Sequence, residues 1–197
     1  MKKMFCVVGQ TCSGKDTFCP LITKEYPQIK RLVYYTTRPM RDGEKDGVDY
    51  YFCNDSELDL NKIGVIECRK YEANLGENGR KIIVTYGTKL DTQFENDYLI
   101  VPCAMDQLKE YIGFFDPSKL VVIYLNPPID VLVDRARLRG DDLNEVIDRL
   151  DRDRHWYSSE TINSIKSKLS SGSYLELNKD ILLYHKIDMR NFIESQL

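Results

Sequence analysis

Short, continuous apolar runs recur along the chain and alternate with amphipathic stretches, the pattern of strands buried on both faces of a parallel sheet. Met4–Val8 is the first run, Tyr98–Cys103 and Leu120–Leu125 are two more, and Arg31–Tyr35 reads as a further strand. Helical patterns cover Thr17–Glu25, Gln107–Tyr111 and Ile129–Arg139, the last preceded by the strand-ending Asn126-Pro127-Pro128. After a polar break at Gly140–Asn144, the pattern predicts one long helix from Glu145 to Leu169, ended by Ser170–Tyr174. A last strand at Ile181–Tyr184 and a last helix at Met189–Leu197 follow. Between residues 36 and 90 the pattern changes. Thr36–Gly47 is loop-like, strands are predicted at Val48–Phe52, Gly64–Lys70 and Lys81–Thr85, and Asn74–Arg80 reads as a hairpin turn. Strand–helix alternation at both ends, with a β-rich middle, predicts an α/β protein: a doubly wound parallel sheet flanked by helices and interrupted by an inserted lobe.

A chain of 197 residues suits a single domain, with a core at about 1–35 and 91–197 and the lobe at about 36–90. A net charge of −3 argues against a general electrostatic hold on nucleic acid. The six cysteines include no C-x-x-C pair and only two His accompany them, so the spacing does not build a zinc site. The apolar part of MKKMFCVVG is too short for a signal peptide core, and no apolar run has the length of a membrane span. These features lead us to expect a cytoplasmic chain, monomeric or homodimeric, with no membrane or nucleic-acid partner.

The first chemical motif is GQTCSGKD, Gly9 to Asp16, which follows G-x-x-x-x-G-K and carries Asp16 where Ser or Thr is usual. In such a loop, backbone N–H groups at the start of a helix cradle phosphate oxygens, and a lysine neutralises the outer phosphates. Gly9, Thr11, Cys12, Ser13, Gly14, Lys15, Asp16 and Thr17 are the expected contacts to ATP. Asp16 is the expected Mg²⁺ ligand, because a carboxylate oxygen can coordinate that ion directly.

The stretch TTRPMRDGEKDGVDYYF, Thr36 to Phe52, closely resembles the GMP-binding signature of guanylate kinases, T-T-R-x-x-R-x-G-E-x-x-G-x-D-Y-x-F. Arg38 and Arg41 lie three apart in a loop stiffened by Pro39, so two guanidinium forks can converge on one phosphate. Tyr50 can add a hydroxyl donor. The resemblance extends to Glu67, which matches the family carboxylate facing guanine N1–H and N2–H₂, and to Tyr86-Gly87-Thr88, which match the phosphate-contacting tyrosine and base-contacting hydroxyl. It also implies a P-loop NTPase-type core with a helical lid at about 135–152. There Arg135, Arg139 and Arg149 would close over the transferring phosphoryl group, whereas Arg137 reads as a salt-bridge partner.

The departures from the family pattern are chemically meaningful. Where guanylate kinases carry I-L-D-I-D-M, this chain has Ile100-Val101-Pro102-Cys103-Ala104-Met105 and lacks both aspartates. Tyr34 stands at the guanine-contacting serine, and Tyr184 at the asparagine beside adenine. Two functions follow from the resemblance. The first is transfer of the ATP γ-phosphoryl group to GMP, dGMP or a related nucleotide with Mg²⁺, Lys15 and Arg38 acting in catalysis. The second is a catalytically degenerate module that binds a nucleotide or a phosphorylated partner.

Overall fold

The computed structural model describes residues 1–75, 80–178 and 186–197. The chain divides into two compact units, residues 1–31 with 96–197, and residues 32–95.

The first unit is built on a five-stranded parallel sheet in the order β2-β7-β1-β8-β9. Its strands are β1 (Lys3–Val8), β2 (Ile29–Arg31), β7 (Tyr98–Cys103), β8 (Leu120–Leu125) and β9 (Tyr174–Leu177). Central β1 is paired on both edges, and Met4 to Val8 have no solvent exposure, which is why the run is apolar without alternation. Helix α1 (Lys15–Glu25) buries Phe18, Cys19 and Ile22 in a cluster with Ile29, Ile100 and Ile193, the last from α6 (Lys186–Glu194). Helices α2 (Met105–Phe114), α3 (Ile129–Arg139), α4 (Leu143–Asp153) and α5 (Ser159–Lys166) are the unit's other described α-helices.

Three sequence expectations shift here. Predicted strand Arg31–Tyr35 is split, with β2 ending at Arg31 and β3 (Tyr35–Thr36) belonging to the other sheet. Apolar continuity across Leu32 reports burial and not which sheet does the burying. The long helix predicted over 145–169 is two helices joined by a 3₁₀ turn at Arg154–Tyr157. Ser158 begins the second, its Oγ accepting from Thr161 N at 3.3 Å, so a local capping bond ends the continuity that periodicity implied. The fifth strand is Tyr174–Leu177, whose start had read as a helix terminator. It lies at the sheet edge, half-buried over Tyr174 to Glu176, and so lacks a continuous apolar run. The predicted strand at 181–184 and the expectation for Tyr184 fall outside the described residues.

Helix α3 stops at Gly140, whose φ of 80° turns the chain back, and Asp142 then caps α4 by accepting from Asn144 N at 2.9 Å. Leu132 and Ala136 pack on Val146 and Leu150, so the segment expected to act as a lid is a helical hairpin with its own small core.

The second unit carries a four-stranded sheet in the order β4-β3-β6-β5. Strands β5 (Val65–Leu75) and β6 (Arg80–Lys89) form a long antiparallel pair, more extensive than the sequence pattern predicts. Strand β4 covers only Tyr51–Phe52, because the preceding residues turn, with Val48 N and Asp49 N both donating to Lys45 O. Among the described residues no helix is long and apolar enough to cross a membrane.

Candidate active site

In the first unit the phosphate loop leaves the carboxyl end of β1, the ligand edge of such sheets. Gly9 is required there by close packing. A Cβ on it would sit 2.4 Å from Ser13 Oγ and 2.7 Å from the Leu125 carbonyl oxygen. Gly14, at φ 98°, turns the chain into α1 and accepts from the N–H groups of Thr17 and Phe18. Cys12 adopts φ 62°, a left-handed conformation that non-glycine residues rarely take.

Lys15 folds back over this loop. Its Nζ donates to Gly9 O at 2.6 Å and to Gln10 O at 2.9 Å. Burial lowers its pKa, and Asp16 acts in the opposite sense. Beside it lies a groove of about 310 Å³ that includes Cys12 to Phe18 of the loop and helix, with Arg135 and Arg139 of α3 on its wall. Arg135 Nη1 donates to Ser13 O at 2.9 Å and Cys12 O at 3.2 Å, so it braces the loop backbone. Arg139 grips the Asp141 carboxylate, and its Nη2 lies 3.4 Å from Cys12 Sγ. Arg137 faces away and pairs with Asp134 at 2.6 Å. Arg149 is exposed on α4 and is not part of the groove lining, although its charge helps hold the Asp141 carboxyl below its ordinary range after the larger effect of Arg139. Thr11 belongs to the loop but not to the groove lining.

The fit of a magnesium ion rests on few groups. Among the described residues no cluster of three acidic, His or Cys side chains is placed to hold a metal. The end of β7 offers Pro102 and Cys103, followed by Ala104, and no carboxylate. Asp16 and Thr17 are exposed and line the groove. The N-cap of α1 is Gly14, which has no side chain to offer, and Asp16 stands in the first turn of the helix. One carboxylate and one hydroxyl beside a phosphate site suit Mg²⁺, which keeps several waters and takes its remaining oxygens from phosphates.

In the second unit, Arg38 is 4% exposed and its guanidinium is surrounded. Nε donates to Tyr86 Oη at 3.1 Å, Nη1 to Pro39 O at 2.7 Å, and Nη2 to Glu44 Oε1 at 2.7 Å. It also lies over the ring of Tyr50 at 5.4 Å and near Phe52 at 5.8 Å. Glu44 is the residue that reading the arginines alone misses. Its Oε2 accepts from Arg41 N at 2.7 Å, so one carboxylate orients both arginine positions. Arg38, and then the Arg41 amide, hold its carboxyl below the usual carboxylate range. The signal was present in the sequence as the Glu of R-D-G-E. The Arg41 side chain is exposed, and Tyr34 is half-buried with its carbonyl accepting from Tyr51 N at 2.8 Å.

Glu67 and Thr88 face each other across β5 and β6 and are almost fully buried. Thr88 Oγ1 donates to Glu67 Oε1 at 2.9 Å, and Arg69 Nε lies 3.4 Å from Glu67 Oε2. Gly87 permits this close approach, since a Cβ there would meet Glu67 O at 2.6 Å. Tyr50 and Tyr71 pack edge-on against Tyr86, at 5.6 and 5.8 Å between ring centres. The lobe therefore gathers Arg38, Tyr50, Glu67, Tyr86 and Thr88 on one sheet and its adjoining loop, with Glu44 and Arg69 as charged neighbours.

Comparison with known proteins is consistent with this chemistry. Residues 1–113 match the sequence model of the guanylate kinase family. The guanylate kinase of Syntrophotalea carbinolica is 30% identical over 174 residues, which span 81% of this chain and 77% of that protein. That of Chlorobium luteolum is 33% identical over 153 residues, 72% of this chain and 71% of its own length. The crystal structure of guanylate kinase from Anaplasma phagocytophilum superposes with a TM-score of 0.55 at 19% identity, covering 100% of this chain and 87% of that one, which speaks to the fold.

Proposed function

Because this chain belongs to the guanylate kinase family, we propose that it is an ATP-dependent nucleoside monophosphate kinase that phosphorylates GMP, dGMP or a closely related nucleotide. The observation that supports this most is the phosphate loop itself. Lys15 lies over it on the backbone oxygens of Gly9 and Gln10, beside a groove walled by Arg135 and Arg139. A module that only binds a monophosphate has no need of a triphosphate cradle.

In this reading the loop N–H groups and Lys15 hold the β- and γ-phosphates. Lys15 exchanges carbonyl partners for phosphate oxygens and balances charge as the phosphoryl group departs. Arg135 keeps the Cys12–Ser13 backbone in place, while Arg139 can turn from Asp141 toward the nucleotide. Arg149 would join from α4. Arg38, Arg41, Tyr50 and Tyr86 hold the acceptor phosphate, and Glu67 with Thr88 reads the base, beside Tyr34. Phosphoryl transfer needs little covalent help, so positioning and electrostatics supply most of the rate. Asp16 and Thr17 would hold Mg²⁺, which supplies neutralisation of the phosphate charge.

The loss of carboxylates at Pro102 and Ala104 favours a second reading, a module that retains nucleotide binding without turnover. A coupled ADP-release assay with ATP, Mg²⁺ and a panel of nucleoside monophosphates separates the two. ADP release stimulated by GMP or dGMP supports the kinase. Monophosphate binding by calorimetry with no stimulated release under the same conditions refutes it and leaves the binding module.

A further inference from the structure

We infer that Arg69 is a base-reading residue, its guanidinium donating to the 6-oxo group of the acceptor purine while Glu67 accepts from N1–H and N2–H₂. This rests on the acceptor assignment above and narrows it to guanine nucleotides. Arg69 is not part of the signature that identifies the lobe.

Its placement follows from strand register. Glu67 and Arg69 are two apart on β5, so their side chains leave the same face, and their partners across the ladder are Thr88 and Tyr86. Those four side chains therefore share one side of the sheet. Glu67 is 2% exposed, and a carboxylate so buried is sustained as an anion only with charged or hydrogen-bonding neighbours. Arg69 Nε at 3.4 Å supplies the countercharge and Thr88 Oγ1 supplies a hydrogen bond. Each carboxylate oxygen has two lone-pair directions, so a carboxylate can accept from several donors at once.

The complementary pattern identifies the base. A guanidinium beside a carboxylate presents a donor next to two acceptors. Guanine presents O6 as acceptor next to N1–H and N2–H₂ as donors, the matching array. Adenine reverses the first two positions, with an amino donor at C6 and an acceptor at N1, so it meets Arg69 donor to donor and Glu67 acceptor to acceptor. A guanidinium fork carries five N–H groups, and its planarity suits the edge of a flat base. The ring of Tyr86, directly across the ladder from Arg69, adds an aromatic wall.

The test is calorimetric binding of GMP and of its 6-thio analogue, whose thiocarbonyl is a weak acceptor. Native protein is expected to bind GMP about tenfold more tightly than the analogue, the scale of one hydrogen bond to a charged group. In Arg69→Ala the GMP affinity should fall by about tenfold or more and the ratio between the two ligands should approach one. Arg69→Lys, which keeps the countercharge to Glu67, should retain part of the ratio and guards against a variant that fails to fold. A merely structural arginine would weaken both ligands equally and leave the ratio intact. That result, or tighter GMP binding in either variant, overturns the inference while leaving the acceptor assignment standing. Binding of neither ligand to the native protein overturns both.

Discussion

Against the phosphate loop, Lys15 rests on the carbonyls of Gly9 and Gln10 and Arg135 on those of Cys12 and Ser13, while Arg139 is held by the Asp141 carboxylate. In the lobe the cations rest on carboxylates: Arg38 on Glu44, Arg69 on Glu67. A carbonyl carries only a partial charge, so an arriving polyphosphate can take Lys15 from it without stranding an anion. A carboxylate carries a full charge, and removing its partner leaves an uncompensated ion. The loop is thus prepared to accept a large negative charge, whereas the lobe holds a nearly balanced network whose geometry is set before any ligand arrives. In the proposed kinase, the first arrangement would favour strength of phosphate binding and the second selectivity.

The comparison breaks most visibly at Lys15. Lys15→Met should lower kcat by about a hundred- to a thousandfold, the scale for removing one preorganised charge-stabilising donor, and leave GMP binding to the lobe unchanged. The same variant carries a pH signature. Because burial lowers the Lys15 pKa in the folded state, the unfolded chain binds its proton more tightly, and stability without nucleotide should rise as pH climbs from the folded value toward 10.5. Lys15→Met should lack that rise in thermal melts. Equal loss of GMP affinity in this variant would show that the two sites do not divide their work in this way.

The next effect belongs to Arg38. Arg38→Ala removes the fork proposed to hold the acceptor phosphate and strands Glu44, so GMP binding should weaken by about 2–4 kcal/mol in calorimetry, with ATP binding retained. Unchanged GMP affinity would remove Arg38 from the acceptor site. Smallest is Asp16→Asn, which should raise the Mg²⁺ needed for half-maximal turnover by several-fold, on the order of a single lost ligand charge, while monophosphate binding stays as it was. Identical Mg²⁺ titrations for variant and native protein would reduce Asp16 to a favourable charge near the start of α1.

Legibility differed between the two regions for the same reason. The phosphate loop acts through backbone groups shaped by Gly9 and Gly14, so a short string of residues carries nearly the whole device. Its bracing by Arg135 spans more than a hundred residues, and that side chain was expected instead to close over the transferring phosphoryl group. In the lobe the arginines, tyrosines, Glu67 and Thr88 were legible as a set, but their partners were not. Glu44 stood in the signature and Arg69 outside it, both without an assigned role, until the fold placed them against Arg38 and Glu67.

Apolar runs and their spacing determined the parallel core and the inserted β-rich lobe, because burial on two faces leaves an unmistakable run of hydrophobic residues. The glycines likewise determined the phosphate loop, since no side chain can occupy the space at Gly9 or the backbone angle at Gly14 without strain. Which sheet receives the segment after Arg31, where the helix beyond residue 145 breaks, and which edge supplies the fifth strand were decided by tertiary pairing and by a local cap at Ser158. The charge pairing of the acceptor face was decided there too. Neighbours across a ladder depend on register, and a hydrophobic pattern that repeats every two residues specifies which face a side chain takes without specifying which partner it meets.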